Sequence, residues 1–76
     1  MSWNHRVLAH KHNEEIHFKI HEVFYNKKRK PNAHTMLPIS IRGDNIKDIK
    51  WTLKMIKKCL KKPILWHGDK FPEEYK

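Results

Sequence analysis

The sequence predicts an α+β fold, a three-stranded antiparallel meander packed against one C-terminal amphipathic helix. Residues 45–62, NIKDIKWTLKMIKKCLKK, carry apolar side chains at helical spacing. Two earlier runs, residues 3–10 and 15–25, put their apolar positions on one face when paired through a turn at Asn13-Glu14. A third run, residues 33–41, adds apolar positions to that same face when paired with the second.

In the first hairpin, WNHRVLAH pairs with EIHFKIHEVFY, so that Trp3 faces Phe24, Val7 faces Ile20 and Ala9 faces Phe18, with Ile16 beside them. A slip of one residue would scatter this set over both faces. Asn13 suits the turn, whereas Glu14 would need a positive φ for a type I′ turn. His5 and Glu22 face each other on the apolar side and read as a polar pair at the core edge. The second turn, NKKRKPN, has Lys28-Arg29 at its tip. It sets Leu37 opposite Ile20, Ile39 opposite Phe18 and Ile41 opposite Ile16. Pro38 has no amide donor and makes this third strand an edge. The second strand is then the central one.

Gly43-Asp44 turns the chain into the helix. Ile46, Ile49, Leu53, Ile56 and Leu60 fall in one sector of roughly 80° and form the expected core stripe. Asn45 is the N-cap, and Asp48 three residues on completes a capping-box-like start. Pro63 stops the helix. The expected domain is a single βββα unit over residues 1–66, with Ile64, Leu65 and Trp66 clipped onto the helix end or sheet edge. Residues 67–76 are expected to be a loosely ordered tail.

The 76 residues include 17 Lys and Arg against 8 Asp and Glu, a net charge of +9. Such an excess points to nucleic acid or an acidic protein surface as partner. No run approaches the ~20 apolar residues of a membrane span. The N-terminus lacks the apolar core of a signal peptide, and the single cysteine, Cys59, forms no internal disulfide. A cytoplasmic protein is expected. No nucleophile with its base and no glycine-rich loop is present, so no catalytic residue is assigned and an enzyme is not expected.

The lysines are not scattered. Lys47, Lys50, Lys54, Lys57, Lys58 and Lys61 share one helix sector with no acid among them. Like charges four residues apart cost a few tenths of a kcal/mol each, so the stripe is not there for helix stability. The helix runs back along the sheet, which brings its C-terminus toward Lys27, Lys28, Arg29 and Lys30. With Lys50, Lys54, Lys57, Lys58, Lys61 and Lys62 these four make ten cations, the candidate surface for nucleic acid or an acidic partner. The sheet face opposite the helix is expected to be open, with Arg6, His10, His17, Lys19, His21, Tyr25 and Arg42 on it. Seven histidines raise the question of metal. His10 and His17 pair across strands with His12 nearby, but no cysteine or carboxylate joins them at a ligand spacing. His17 and His21 lie about 13 Å apart along a strand. No metal site and no cofactor is assigned; the histidines read as an exposed face that gains charge below pH ~6.5.

The segments SWNHRVLAH, IHEVFYNKKRKPN and DNIKDIKWTLKMI resemble a family of small uncharacterised bacterial proteins with a SWNxRV…IHEVFY…KP…DIKW-type pattern, over roughly residues 2–65. The resemblance implies a cytoplasmic bacterial or mobile-element origin and no established activity. Its members tend to be acidic, so the lysine helix and the KKRK turn depart from the pattern. A three-stranded sheet backed by one helix also resembles the integrase arm-binding and plant ethylene-response DNA-binding domains, a likeness of fold alone. The expected function is a small basic binding module that contacts nucleic acid through the lysine-rich helix end and hairpin tip. The alternatives are a phage or mobile-element protein-binding module, such as an inhibitor or anti-defence factor, and a homodimer formed through the open sheet face.

Overall fold

In the computed structural model, which describes residues Ser2–Lys76, the first third of the chain is one long hairpin. Met1, the first residue of the expected domain, lies outside the described residues. β1 (Ser2–His12) pairs antiparallel with β2 (Glu15–Tyr25), with Trp3 opposite Phe24, Val7 opposite Ile20 and Ala9 opposite Phe18. This is the expected register. Asn13 takes the left-handed conformation at φ 58°, which its short polar side chain tolerates. Glu14 does not, so the turn is not type I′. At the second turn the Asn26 Oδ1 accepts the Lys28 and Lys30 amides at 2.9 and 3.1 Å. Arg29, at φ 62°, donates its amide to the Asn26 carbonyl at 2.9 Å.

β3 is short, Pro31–His34, and pairs antiparallel with β2 through Val23 opposite His34 and Phe24 opposite Ala33. The third strand was expected to run on to Ile41. It breaks after His34 because Pro38 has no amide to offer and Thr35 closes a local bend, its Oγ1 donating to the Leu37 carbonyl at 2.9 Å. The chain returns to the sheet two residues late: the Ile39 amide donates to the Ile20 carbonyl at 2.9 Å. A slip of two preserves the face, so Ile39 packs beside Ile20 in the place expected for Leu37, which is left 78% exposed.

The larger difference is a fourth strand. β4 (Leu65–Trp66) pairs parallel with β1 at Leu8 and Ala9, giving a mixed sheet in the order β3-β2-β1-β4. The fold is α+β as expected, but the sheet is neither three-stranded nor wholly antiparallel, and β1 is as central as β2. Residues 67–76, expected to be loose, fold back over the sheet. The His67 amide donates to the Ala9 carbonyl at 3.0 Å. Trp66 and Tyr75 donate their amides to the Glu73 and Ile64 carbonyls, both at 2.8 Å. The Tyr75 ring meets both Phe18 and Trp66 edge-on at 5.3 Å.

Two apolar clusters result, one on each face of the hairpin. Val7 packs with Ile56 and Cys59 on the helix side, flanked by Ile20, Ile39 and Ile64. Leu8 and Val23 pack with Leu65, flanked by Tyr25 and Phe71. The second face, expected to be open, is therefore covered by the tail.

The helix α1 (Ile46–Lys57) starts as expected, the Asp48 amide donating to Asn45 Oδ1 at 2.9 Å. The Asp48 carboxylate reaches one residue beyond the cap, to the Asp44 amide at 3.3 Å. Gly43 allows this closeness, since a Cβ there would lie 2.7 Å from the Asp48 Cβ. The α-helix tightens into a 3-10 turn over Lys58–Lys61, and Lys62 is extended ahead of Pro63. Only the C-terminal part of the helical stretch is seated on the sheet. Ile56 and Cys59 are buried, whereas the stripe residues Ile46, Leu53 and Leu60 stay exposed.

The two faces predict opposite outcomes for leucine truncation. Leu8 is wholly buried, so Leu8→Ala should cost about 2–5 kcal/mol. Leu53 is 46% exposed, and Leu53→Ala should cost under about 1 kcal/mol because little cavity forms. Urea melts of the two variants check the ranking, and a reversed order would mean that the helix is seated differently.

Candidate functional site

Four histidines meet where the tail crosses the second face. His10 comes from β1, His21 from β2, His34 from the end of β3 and His67 from just beyond β4. The His10 ring stacks on His67 at 3.8 Å between centroids and on His21 at 5.0 Å. His34 lies 4.8 Å from His67 and meets Phe71 edge-on at 4.7 Å. The hydrogen bonds assign the tautomers. A carbonyl only accepts, so the contacts of His21 Nδ1 (3.0 Å) and His34 Nδ1 (2.7 Å) with the Thr35 carbonyl put the proton on Nδ1 in both rings. His34 Nε2 then accepts the Gly68 amide at 3.3 Å. Gly68 sits at φ +81°, a conformation in which a side chain would be strained. His21 Nε2 carries a lone pair, and His10 Nε2, 2.8 Å away, donates to it.

Burial favours the neutral form of His10, His21 and His67. It is the largest cause of the low pKa of His10, about 4, with His67, His21, Lys19 and His34 adding repulsion. Burial likewise pushes His21 and His67 below the ordinary imidazole value, and Thr35 only partly opposes the shift at His21. The expected grouping was different. His17 does sit opposite His10 in register, but its Nε2 turns outward to Glu15 Oε2 at 3.2 Å. His34 and His67 were not among the expected site residues.

The other residues expected on that face divide. Arg6 is buried; its Nη1 donates to the Tyr25 hydroxyl and its Nη2 to the Pro63 carbonyl, both at 2.7 Å. It is a structural brace between the hairpin and the helix exit and is not presented to a ligand. Tyr25 is half-buried as its partner, while His17, Lys19 and Arg42 are exposed.

All ten candidate cations, Lys27, Lys28, Arg29, Lys30, Lys50, Lys54, Lys57, Lys58, Lys61 and Lys62, are exposed. Among the described residues the one ion pair is His17–Glu15, so none of the ten has a carboxylate partner. Arg29 from the hairpin tip and Lys62 from the helix exit border one cleft with Trp3 and Arg6. Lys58 and Lys62 border an adjoining apolar groove of about 340 Å³ whose walls include Trp3, Trp51 and Met55. Lys54, Lys57, Lys58 and Lys61 surround Leu60. The tryptophans were not among the expected site residues. Trp51 lies off the apolar stripe of the helix, which was the available signal that it serves something other than the core.

No protein-family profile, no curated protein and no solved structure matches this chain. No helix among the described residues is long and apolar enough to cross a membrane.

The neutral histidines give a pH dependence of known sign. Their folded pKa values lie below the unfolded value of 6.5, so the unfolded chain binds more protons as pH falls. Stability is fully present above pH 6.5 and is lost between there and about 4, the His10 value. Thermal melts in chelator from pH 7.5 to 4.5 should show the decline, and His10→Gln should flatten it. An equally steep decline in that variant would place the titration elsewhere.

Proposed function

We propose that this chain is a small nucleic-acid-binding module whose contact surface is the lysine-rich helix end together with the Arg29 hairpin tip. The groove that combines exposed Trp3 and Trp51 with Lys58 and Lys62 carries the reading. Exposed aromatic rings bordered by cations suit single strands, whose bases stack on the rings while lysines follow the phosphates. The unpaired cations around Leu60 and at the hairpin tip extend the same positive surface. With Arg6 buried, base readout from the second sheet face is not part of the proposal.

Titration with single-stranded DNA, single-stranded RNA and duplex DNA at several salt concentrations tests it, read by tryptophan fluorescence. Replacing Lys57, Lys58 and Lys61 by Gln should lower the slope of log affinity against log salt by about 2 on single strands. Trp51→Ala should weaken binding by about 1–3 kcal/mol and leave that slope unchanged. No binding by the unaltered protein to any of these at low salt would rule the function out.

A second reading is favoured by one observation. Met36, Leu37, Ile41, Ile46, Leu53 and Leu60 leave apolar side chains exposed on the helix and its leading loop, and exposed apolar surface of this kind suits a docking face. In this reading the chain docks on a partner protein, as an inhibitor or anti-defence factor would, or on a second copy. The contact would then lie on the helix side and not on the sheet face expected for a dimer, which the tail occupies. Sedimentation of the pure protein separates the second copy from the foreign partner.

A further inference from the structure

We propose that His10, His21 and His67 form a binding site for one divalent cation of the zinc class, and that the cation fastens the C-terminal tail to the sheet. One ring nitrogen from each of the three lies within 4.8 Å of the others. Three neutral imidazoles suit Zn²⁺, Co²⁺, Ni²⁺ and Cu²⁺, and they disfavour Mg²⁺ and Ca²⁺, which take oxygen.

The arrangement around the three nitrogens is already that of a ligand set. His21 is wholly buried, and its Nδ1–H is tied to the Thr35 carbonyl at 3.0 Å, so its Nε2 lone pair is fixed in direction. A second hydrogen bond of this kind, from the ring nitrogen that does not bind, is the usual support of a metal-bound histidine. His34 takes no part: its Nδ1 is held by Thr35 and its Nε2 by Gly68, so it walls the site without offering a donor. The proton that joins His10 Nε2 to His21 Nε2 at 2.8 Å occupies the cation's place. When the cation enters, His10 shifts that proton to Nδ1 and stays neutral. The two nitrogens then separate by about half an ångström, to the ~3.3 Å that two ligands on tetrahedral zinc require.

Burial favours the neutral, ligating form of all three rings, so protons compete weakly. Lys19 is the cation whose charge acts on the cluster, and the cleft shared by His10 and His67 is lined by Asp69 and also by Lys11 and Lys70. That cleft leaves the fourth coordination position to water or a small anion.

The site would also meet a need of the fold. The fully buried apolar core is small, and the lone Cys59 gives no disulfide. Chains of this length commonly carry a staple. This one would link β1, β2 and the segment after β4.

Untagged protein stripped with chelator should bind one equivalent of Zn²⁺ in calorimetry, in the micromolar range or tighter. Its melting temperature should rise by more than about 10 °C at a hundredfold excess over the dissociation constant. Co²⁺ should give the intense visible bands of a tetrahedral site, and the ring-nitrogen NMR signals of His10, His21 and His67 should shift while those of His17 stay fixed. His67→Gln and His10→Gln should each weaken Zn²⁺ binding at least tenfold, and the exposed pair change His12→Gln with His17→Gln should leave it unaltered. Failure of the unaltered protein to bind Zn²⁺ in this range overturns the site. So does a loss of binding on the His12 and His17 change, or full retention in both His10→Gln and His67→Gln. Should either ligand variant fail to fold, the NMR shifts of the unaltered protein decide alone.

Discussion

The double pairing of β1 is the constraint to which the rest of the molecule answers. Its amides and carbonyls are engaged by β2 along one edge and by β4 along the other. Successive side chains of a strand point to opposite faces, and Arg6, Val7, Leu8 and Ala9 are all buried in sequence. A strand with four consecutive buried residues needs cover on both sides. The helix end supplies it for Val7, and the tail supplies it for Leu8. Arg6 ties the hairpin to the helix exit at one end, through Tyr25 and Pro63.

Much of this was legible in the residues. The alternation of Trp3, Val7 and Ala9 against Phe24, Ile20 and Phe18 has one sensible register, and the chain adopts it. Asn45 with Asp48 marked the helix start because the capping hydrogen bond depends on local chemistry alone. What escaped was cover by a distant short segment. A parallel pairing of two residues has no turn signature and almost no periodicity to read. The hints lay in Leu8 and Val23, two good strand formers on a face assumed to be wet, and in the unbroken apolar run around Val7. The helix stripe misled for a related reason: periodicity tells which residues share a face, but not how far along that face the sheet extends.

The same gap hid the histidine cluster. His10 pairs with His17 and His21 with Arg6, four residues along the ladder. The register alone therefore does not announce that the His10 and His21 Nε2 atoms meet at 2.8 Å, and His67 reaches them only with the returning tail. In a protein of net charge +9, burial disfavours charge on His10, His21 and His67. The positive field therefore comes from lysine and arginine side chains that stand in solvent. Polar chemistry is thus divided between a covered neutral pocket and an exposed cationic surface that share no residue.

The pairing of β4 with β1 also bears on how the chain reaches its final form. Leu8 and Leu65 are separated by most of the sequence, whereas the long hairpin is made of neighbours. Contacts between distant residues must overcome loop-closure entropy before they return any energy, so they form late. The hairpin and helix should assemble first, as an intermediate with Leu8 and Val23 still wet. The closing segment, only two paired residues wide, should be the first to open again. In hydrogen exchange the His67 amide, bonded to the Ala9 carbonyl, should therefore report a partial opening of lower energy than global unfolding, while the Leu8 and Lys19 amides, which face each other inside the hairpin, wait for the whole domain to come apart.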